Sequence, residues 1–120
     1  MTPFGARMRA LRKARGLTLR QMAEDLGVTS AYLSALEHGH RGRPSWLFIQ
    51  RVCGYFNIIW DDAEALADLA KLSHPRVTID TAGLHPKATL LANELARRVK
   101  DLDEARIARL LKILQEKDGA

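Results

Sequence analysis

Apolar residues recur at steps of three and four along most of the chain, the spacing that lines up side chains on one face of an α-helix. The clearest example is Leu19, Met22, Ala23 and Leu26, which form one continuous stripe. Together with capping residues and glycine or asparagine breaks, the pattern predicts five helices at about residues 3–15, 18–26, 29–38, 45–54 and 61–72. This part of the chain is therefore predicted to be all-α.

The second and third predicted helices are joined by a short glycine turn. Thr18 and Gln21 have the spacing of a capping box, which begins a helix. Gly27 follows that helix where a left-handed residue is favoured, because glycine has no Cβ to clash there. The next helix, 29–38, exposes mostly small side chains. Two short helices joined in this way can place the second one in the major groove of DNA.

The pattern changes after residue 72. Residues 76–81 alternate and contain β-branched side chains, which predicts an extended segment or a short strand. Two further helices are predicted at about 86–100 and 103–116. The chain is thus expected to contain a helix-turn-helix domain (1–73), a linker or possible short strand (74–85) and a C-terminal helical segment (86–117).

The two C-terminal helices have apolar seams that need a partner, because roughly 30 residues are too few to bury an independent core. The seams can pack back on the first domain or pair with the same segment of a second chain. We favour pairing, since dimeric helix-turn-helix proteins bind two half-sites and a lone strand has unpaired edges. The residues predicted at this dimer interface are Val77, Ile79, Leu91, Leu95, Val99, Leu110, Leu111 and Leu114.

Positive charge is concentrated in the half that contains the glycine turn. The 120 residues have a net charge of +5, and residues 1–60 hold nine Lys and Arg against three Asp and Glu, whereas residues 61–120 hold ten against eleven. Basic side chains precede the turn at Arg7, Arg9, Arg12, Lys13 and Arg15, and follow it at Arg41 and Arg43. This asymmetry favours a nucleic-acid partner over general solubility.

Other function classes find little support in the residues. Cys53 is the single cysteine, so no internal disulfide forms and a reducing cytoplasm is expected. No apolar run is long enough to span a membrane, and no signal-peptide segment begins the chain. The histidines and carboxylates show neither metal-ligand nor nucleophile spacing, so we expect no enzyme, metal or cofactor. Trp46 and Trp60 are expected to pack in the core.

A set of spaced residues resembles the lambda-repressor-like (Cro/repressor) helix-turn-helix regulators. The residues that carry the resemblance are Leu11-Arg12, Gly16-Leu17-Thr18, Met22-Ala23, Leu26-Gly27-Val28, Tyr32-Leu33-Ser34, Leu36-Glu37, Gly39 and Pro44-Ser45. They cover about residues 4–72. The resemblance implies a five-helix DNA-binding domain that works as a dimer on a palindromic operator. It does not extend to residues 75–120, although dimerising C-terminal extensions are usual in that family.

The resemblance also implies which side chains contact DNA. The base-contacting positions would be Thr29, Ser30, Ala31, Tyr32 and Ala35, and the phosphate-contacting positions would be Thr18, Arg20, Ser34, His40, Arg41 and Arg43. Serine and alanine discriminate bases only modestly, so DNA shape is expected to contribute to specificity. Where many members have a glutamine after the helix-two cap, this chain has Leu19, which shifts phosphate binding towards Arg20 and the loop.

Arg12 and Glu37 match a pair that, in the family, forms a buried salt bridge between the first and third helices. The alternative is two solvated charges. Their role in either case would be structural.

We therefore expect a cytoplasmic, homodimeric regulator from a bacterium or phage that binds double-stranded DNA in a sequence-specific way and acts as a repressor. Two alternatives stay open. One is an antitoxin that binds a toxin partner and represses its own operon. The other is an interaction module that keeps the fold but has lost DNA binding.

Overall fold

The computed structural model describes residues 1–40 and 44–116. Contacts divide the chain into two units, Met1–Val77 and Thr78–Ala120. The first unit contains helices α1 (Pro3–Ala14), α2 (Leu19–Leu26), α3 (Ser30–His38), α4 (Trp46–Phe56) and α5 (Trp60–Lys71), and the second contains α6 (Pro86–Arg98), a 3₁₀ turn (Val99–Asp101) and α7 (Glu104–Gln115). The all-α prediction is confirmed.

Side-chain caps explain where four helices of the first unit begin. The side chains of Thr2, Thr18, Thr29 and Ser45 each accept a hydrogen bond from the backbone N–H of the third residue after them. These bonds satisfy backbone donors that a helix leaves unpaired at its first turn. The predicted starts of α1 to α4 therefore lie within one residue of the observed ones.

The prediction for α4 was too short, because the helix continues to Phe56 rather than residue 54. The side chain of Phe56 is buried, so the apolar face of α4 continues for that extra half turn. The helix then ends at Asn57, which has a left-handed backbone with φ 56°. Asparagine is among the residues that tolerate this conformation best.

The core of the first unit lies where its five helices converge. It is formed by Phe4, Met8, Met22, Ala23, Leu26, Leu33, Leu36, Phe48, Ile49, Val52, Cys53, Phe56, Leu66 and Ala70. Helix α1 approaches α3 closely at Gly5, where a Cβ atom would lie 2.4 Å from the carbonyl oxygen of Leu36. Glycine is therefore required here for packing rather than for a turn.

Both tryptophans were wrongly predicted to lie in the core. Trp46 is 65% exposed and Trp60 is 85% exposed. Each is the first residue of its helix, and the buried face of α4 is filled instead by Phe48, Ile49 and Val52. Leu47, Ile59, Ala65 and Leu72 are also exposed, and the buried residues of α5 are Leu66 and Ala70.

The second unit is built differently, since none of its described residues is buried. The prediction of one helix over 86–100 is corrected slightly, because α6 ends at Arg98 and tightens into the 3₁₀ turn. Asp103 caps α7 by accepting from the backbone N–H of Arg106 at 2.8 Å. The possible strand near 77–80 is not present, because residues 77–81 have no regular secondary structure in the described chain.

Candidate nucleic-acid interface

The turn between α2 and α3 has the geometry that the sequence predicted. Gly27 adopts a left-handed conformation with φ 69°, and its neighbour Val28 donates from its backbone N–H to the carbonyl of Ala23 at 3.0 Å. The Thr18 and Gln21 capping box is formed in both directions, with hydrogen bonds of 3.1 and 2.9 Å. Gly27 and the Val28 hydrogen bond set the direction in which the chain leaves α2, while the capping box fixes where α2 begins.

Helix α3 has one buried face and one exposed face. Leu33, Leu36 and Glu37 lie inside the unit. The predicted base-contacting residues fall on the other side, where Thr29, Ser30 and Ala31 are exposed and Tyr32 and Ala35 are half-buried. The outer surface of α3 is therefore short in side chains, so another molecule can approach its backbone closely.

Tyr32 differs from the other members of this face because its ring also takes part in packing. The ring meets that of Phe48 edge to face, with centroids 5.5 Å apart and planes at 87°. This is a favoured arrangement of aromatic pairs. It connects the exposed face of α3 to the buried face of α4.

The predicted phosphate contacts have several different environments. Thr18 is occupied as a helix cap, while Arg20 forms an exposed ion pair with Glu24 at 3.4 Å. The carbonyl and hydroxyl of Ser34 both lie near the Nδ1 atom of His38, at 2.8 and 3.4 Å. The ion pair of Arg20 is therefore a weak surface contact that a ligand can replace.

The end of α3 places two histidine rings side by side. The rings of His38 and His40 stack with centroids 6.3 Å apart and an interplanar angle of 18°. Both residues are exposed. Arg41 and Arg43, which were predicted to contact phosphate just after His40, lie outside the described residues.

The predicted pair of Arg12 and Glu37 is brought together at the C-terminal end of α3. Two parallel hydrogen bonds join them, from Nε to Oε2 at 3.0 Å and from Nη2 to Oε1 at 3.1 Å. A third donor of the guanidinium, Nη1, bonds the carbonyl of Leu17 at 3.0 Å. Because Leu17 lies just before α2, one arginine connects α1, the start of α2 and the end of α3.

Sequence reasoning missed a group of contacts that holds α2 against α4. Arg51 donates to the carbonyl of Leu26, and the hydroxyl of Tyr55 donates to Asp25 at 2.6 Å. Hydrogen bonding to the Asp25 carboxylate raises the pKa of Tyr55, since the bond needs the protonated phenol. The partners are 25 and 30 residues apart, so no local pattern in the sequence signals them.

A second contact that was missed joins α1 to the end of α4. Arg15 donates to the carbonyl of Tyr55 at 3.0 Å, and its guanidinium lies 5.0 Å from the ring centroid of Phe56. Arg15 was interpreted from the sequence only as part of the positive flank. In the structure its charge is anchored to the fold.

The predicted dimer residues are accessible in the single chain. Val77 belongs to the first unit and the other seven belong to the second, and all except the half-buried Leu95 are exposed.

The described part of the chain shows neither a metal cluster nor a membrane-spanning helix. Within the described residues no group of three His, Cys, Asp or Glu is placed to hold a metal ion. No helix in that part of the chain combines the length and apolar character needed to cross a bilayer.

Comparison with known proteins places this geometry in a family. The chain matches the family described as "Helix-turn-helix domain" over residues 3–78. It belongs to this family. The matched region spans all five helices of the first unit and ends at the boundary between the two units.

Curated relatives are similar over the same part of the chain. The chain is 37% identical over 67 residues to the HTH-type transcriptional regulator RghRB of Bacillus subtilis, covering 56% of this chain and 48% of that protein. It is 38% identical over 61 residues to the HTH-type transcriptional repressor RghR of the same organism (51% and 45%), and 33% identical over 55 residues to its HTH-type transcriptional regulator SinR (46% and 50%). The aligned part thus spans about half the length of these relatives. No solved structure gives a significant match.

Proposed function

We propose that the protein is a homodimeric, sequence-specific double-stranded DNA-binding transcription regulator that acts as a repressor. The observation that carries the proposal is the exposed face of α3, which presents Thr29, Ser30 and Ala31 opposite a buried face of the same helix. A helix presented in this way fits the major groove, whose width admits an α-helix. The names of the relatives RghRB, RghR and SinR support the same class of function.

The charge distribution supports a polyanionic ligand for the first unit. Residues 1–60 hold nine Lys and Arg against three Asp and Glu, and these are the side chains that neutralise backbone phosphates. Base edges would be read by the side chains of α3, and the backbone would be held by Arg20, Ser34 and His40 together with Arg41 and Arg43. Because hydroxyls and methyl groups dominate α3, part of the sequence preference would come from DNA shape.

Dimerisation is proposed through the C-terminal unit. Its leucines are exposed along α6 and α7, and burying apolar surface is the main favourable contribution to association. A twofold dimer would hold two copies of α3 about 34 Å apart, which is one turn of duplex DNA. A palindromic operator follows from that symmetry, and blocking promoter access would repress transcription.

Binding through α3 is tested by placing a carboxylate on its exposed face. Ala31→Glu is expected to abolish retention of genomic DNA fragments selected by the wild-type protein, because it brings a negative charge against the duplex. Ala65→Glu makes the same change at an exposed position of α5 and serves as the control. Equal DNA binding by the two variants, with unchanged thermal unfolding, would contradict the proposed orientation.

The dimer is tested with two neighbouring leucines of α6 that are similarly exposed, Leu90 and Leu91. They point in directions about 100° apart on the helix. Leu91→Asp should shift the protein to monomer in sedimentation velocity, whereas Leu90→Asp should leave the dimer intact. A dimer that survives Leu91→Asp, or a monomeric wild-type protein, would show that this seam is not the interface.

A further inference from the structure

The corner between α6 and α7 gathers positive charge within the second unit. Arg97, Arg98, Lys100 and Arg106 line an open depression of about 460 Å³ together with Asp101 and Leu102. Four cations against one carboxylate give this surface a local positive charge. We propose that the depression is a second DNA contact that binds a backbone phosphate outside the bases read by α3, an inference that rests on the proposed function.

Ion pairing separates the cations of the depression into two groups. Arg98 and Arg97 both approach Glu94, at 2.9 and 4.0 Å, so part of their charge is neutralised within α6. Lys100 and Arg106 form no ion pair with any residue of the described chain. Those two side chains are therefore the ones most available to a phosphate.

The position of Arg106 in its helix is unfavourable for local stability. It is the third residue of α7, whose N-terminus is capped by Asp103. The helix dipole favours acidic side chains in the first turn and disfavours cations there. By contrast, Arg97 and Arg98 lie in the last turn of α6, where cations stabilise the helix. Helix stability explains those two arginines and does not explain Arg106.

The shape of the depression favours a phosphate over an apolar partner. It is wide and open, and charged side chains make up most of its lining. Guanidinium groups donate two parallel hydrogen bonds to phosphate oxygens, which suits Arg106 to this ligand. A contact that is weak alone also gains from tethering, since a duplex held by the first unit stays at high local concentration.

Salt dependence of binding to a mixed-sequence DNA duplex tests the proposal. A plot of the logarithm of the binding constant against the logarithm of the salt concentration has a negative slope. Its magnitude decreases by about 0.9 for each phosphate contact that is lost. The double variant Lys100→Gln/Arg106→Gln should therefore reduce the slope by at least about 1, measured by fluorescence anisotropy on the full chain. Arg76→Gln/Lys87→Gln removes the same charge from exposed positions outside the depression and should change the slope much less.

Measurements are made at protein concentrations where sedimentation shows the same oligomeric state for all three proteins. If the two double variants give equal slopes, the depression does not bind DNA, and an acidic protein partner becomes the better occupant. If the wild-type protein itself binds the duplex without salt dependence, the proposed function fails with it. A shallower salt dependence in Lys100→Gln/Arg106→Gln, but not in Arg76→Gln/Lys87→Gln, supports the phosphate contact.

Discussion

Arg12 and Glu37 form a bidentate ion pair that joins the last turn of α1 to the last turn of α3. The Glu37 side chain is 2% exposed and that of Arg12 is 13% exposed, so both charges are largely removed from water. Each depends on the other because desolvation is compensated only by the partner. The pair thus sets the orientation of the helix proposed to enter DNA.

The first prediction concerns removal of one charge from this pair. Glu37→Gln should lower the free energy of unfolding by about 3–5 kcal/mol, because it leaves the Arg12 guanidinium buried without its countercharge. Urea denaturation at one fixed protein concentration measures this loss. The double variant Arg12→Met/Glu37→Met should recover much of it. A loss in Glu37→Gln no larger than that of an exposed pair such as Arg20 with Glu24 would contradict the argument.

The second prediction concerns the close approach of α1 and α3. Gly5→Ala should destabilise the protein by about 1–3 kcal/mol, since its Cβ would lie 2.4 Å from one backbone oxygen and 2.6 Å from another. Gly54→Ala is the matched control, because Gly54 is also helical but has nothing within 4 Å of its Cβ position. That control should stabilise by up to about 1 kcal/mol through helix propensity. Thermal unfolding of both variants should therefore move in opposite directions.

The third prediction concerns pH and the bond from Tyr55 to Asp25. The pKa of Tyr55 is raised in the folded state, chiefly by this hydrogen bond. The protonated phenol therefore contributes stability that is present below its unfolded pKa of about 10 and is lost as pH rises through the folded value. In Tyr55→Phe this contribution to the loss of stability at alkaline pH should disappear. Near neutral pH the variant should be less stable than wild type by about 1 kcal/mol. The test compares the free energy of unfolding of wild type and variant between about pH 9 and 11, the range that brackets the ordinary tyrosine pKa. Identical curves would show that the bond contributes nothing.

The fourth prediction concerns the tryptophans that were expected to be buried. Because Trp46 and Trp60 are both largely exposed in the single chain, their fluorescence should be quenched by acrylamide nearly as strongly in the native protein as in urea. Trp60→Ser should also lower the free energy of unfolding by no more than about 0.5 kcal/mol. Strong protection from acrylamide that depends on protein concentration would mean that a second copy covers these rings.

The local elements of this protein follow from residues that are close in sequence. Thr18 with Gln21, Thr29, Ser45 and the left-handed Gly27 each act within a few positions, so the sequence predicted most helix starts and the turn before α3. A salt bridge between Arg12 and Glu37 was also expected, although only through a family resemblance; its bidentate geometry came from the structure.

Only the tertiary structure decided which apolar side chains are buried and which long-range contacts support α3. A period of three or four residues shows that a helix has an apolar face, but a neighbouring helix determines how wide the buried part is. For this reason Leu66 is buried while Trp60 and Leu72 of the same region are exposed. The contacts of Arg51 with Leu26 and of Tyr55 with Asp25 depend on α2 and α4 meeting in space. Their energies arise from distances that no local sequence pattern encodes.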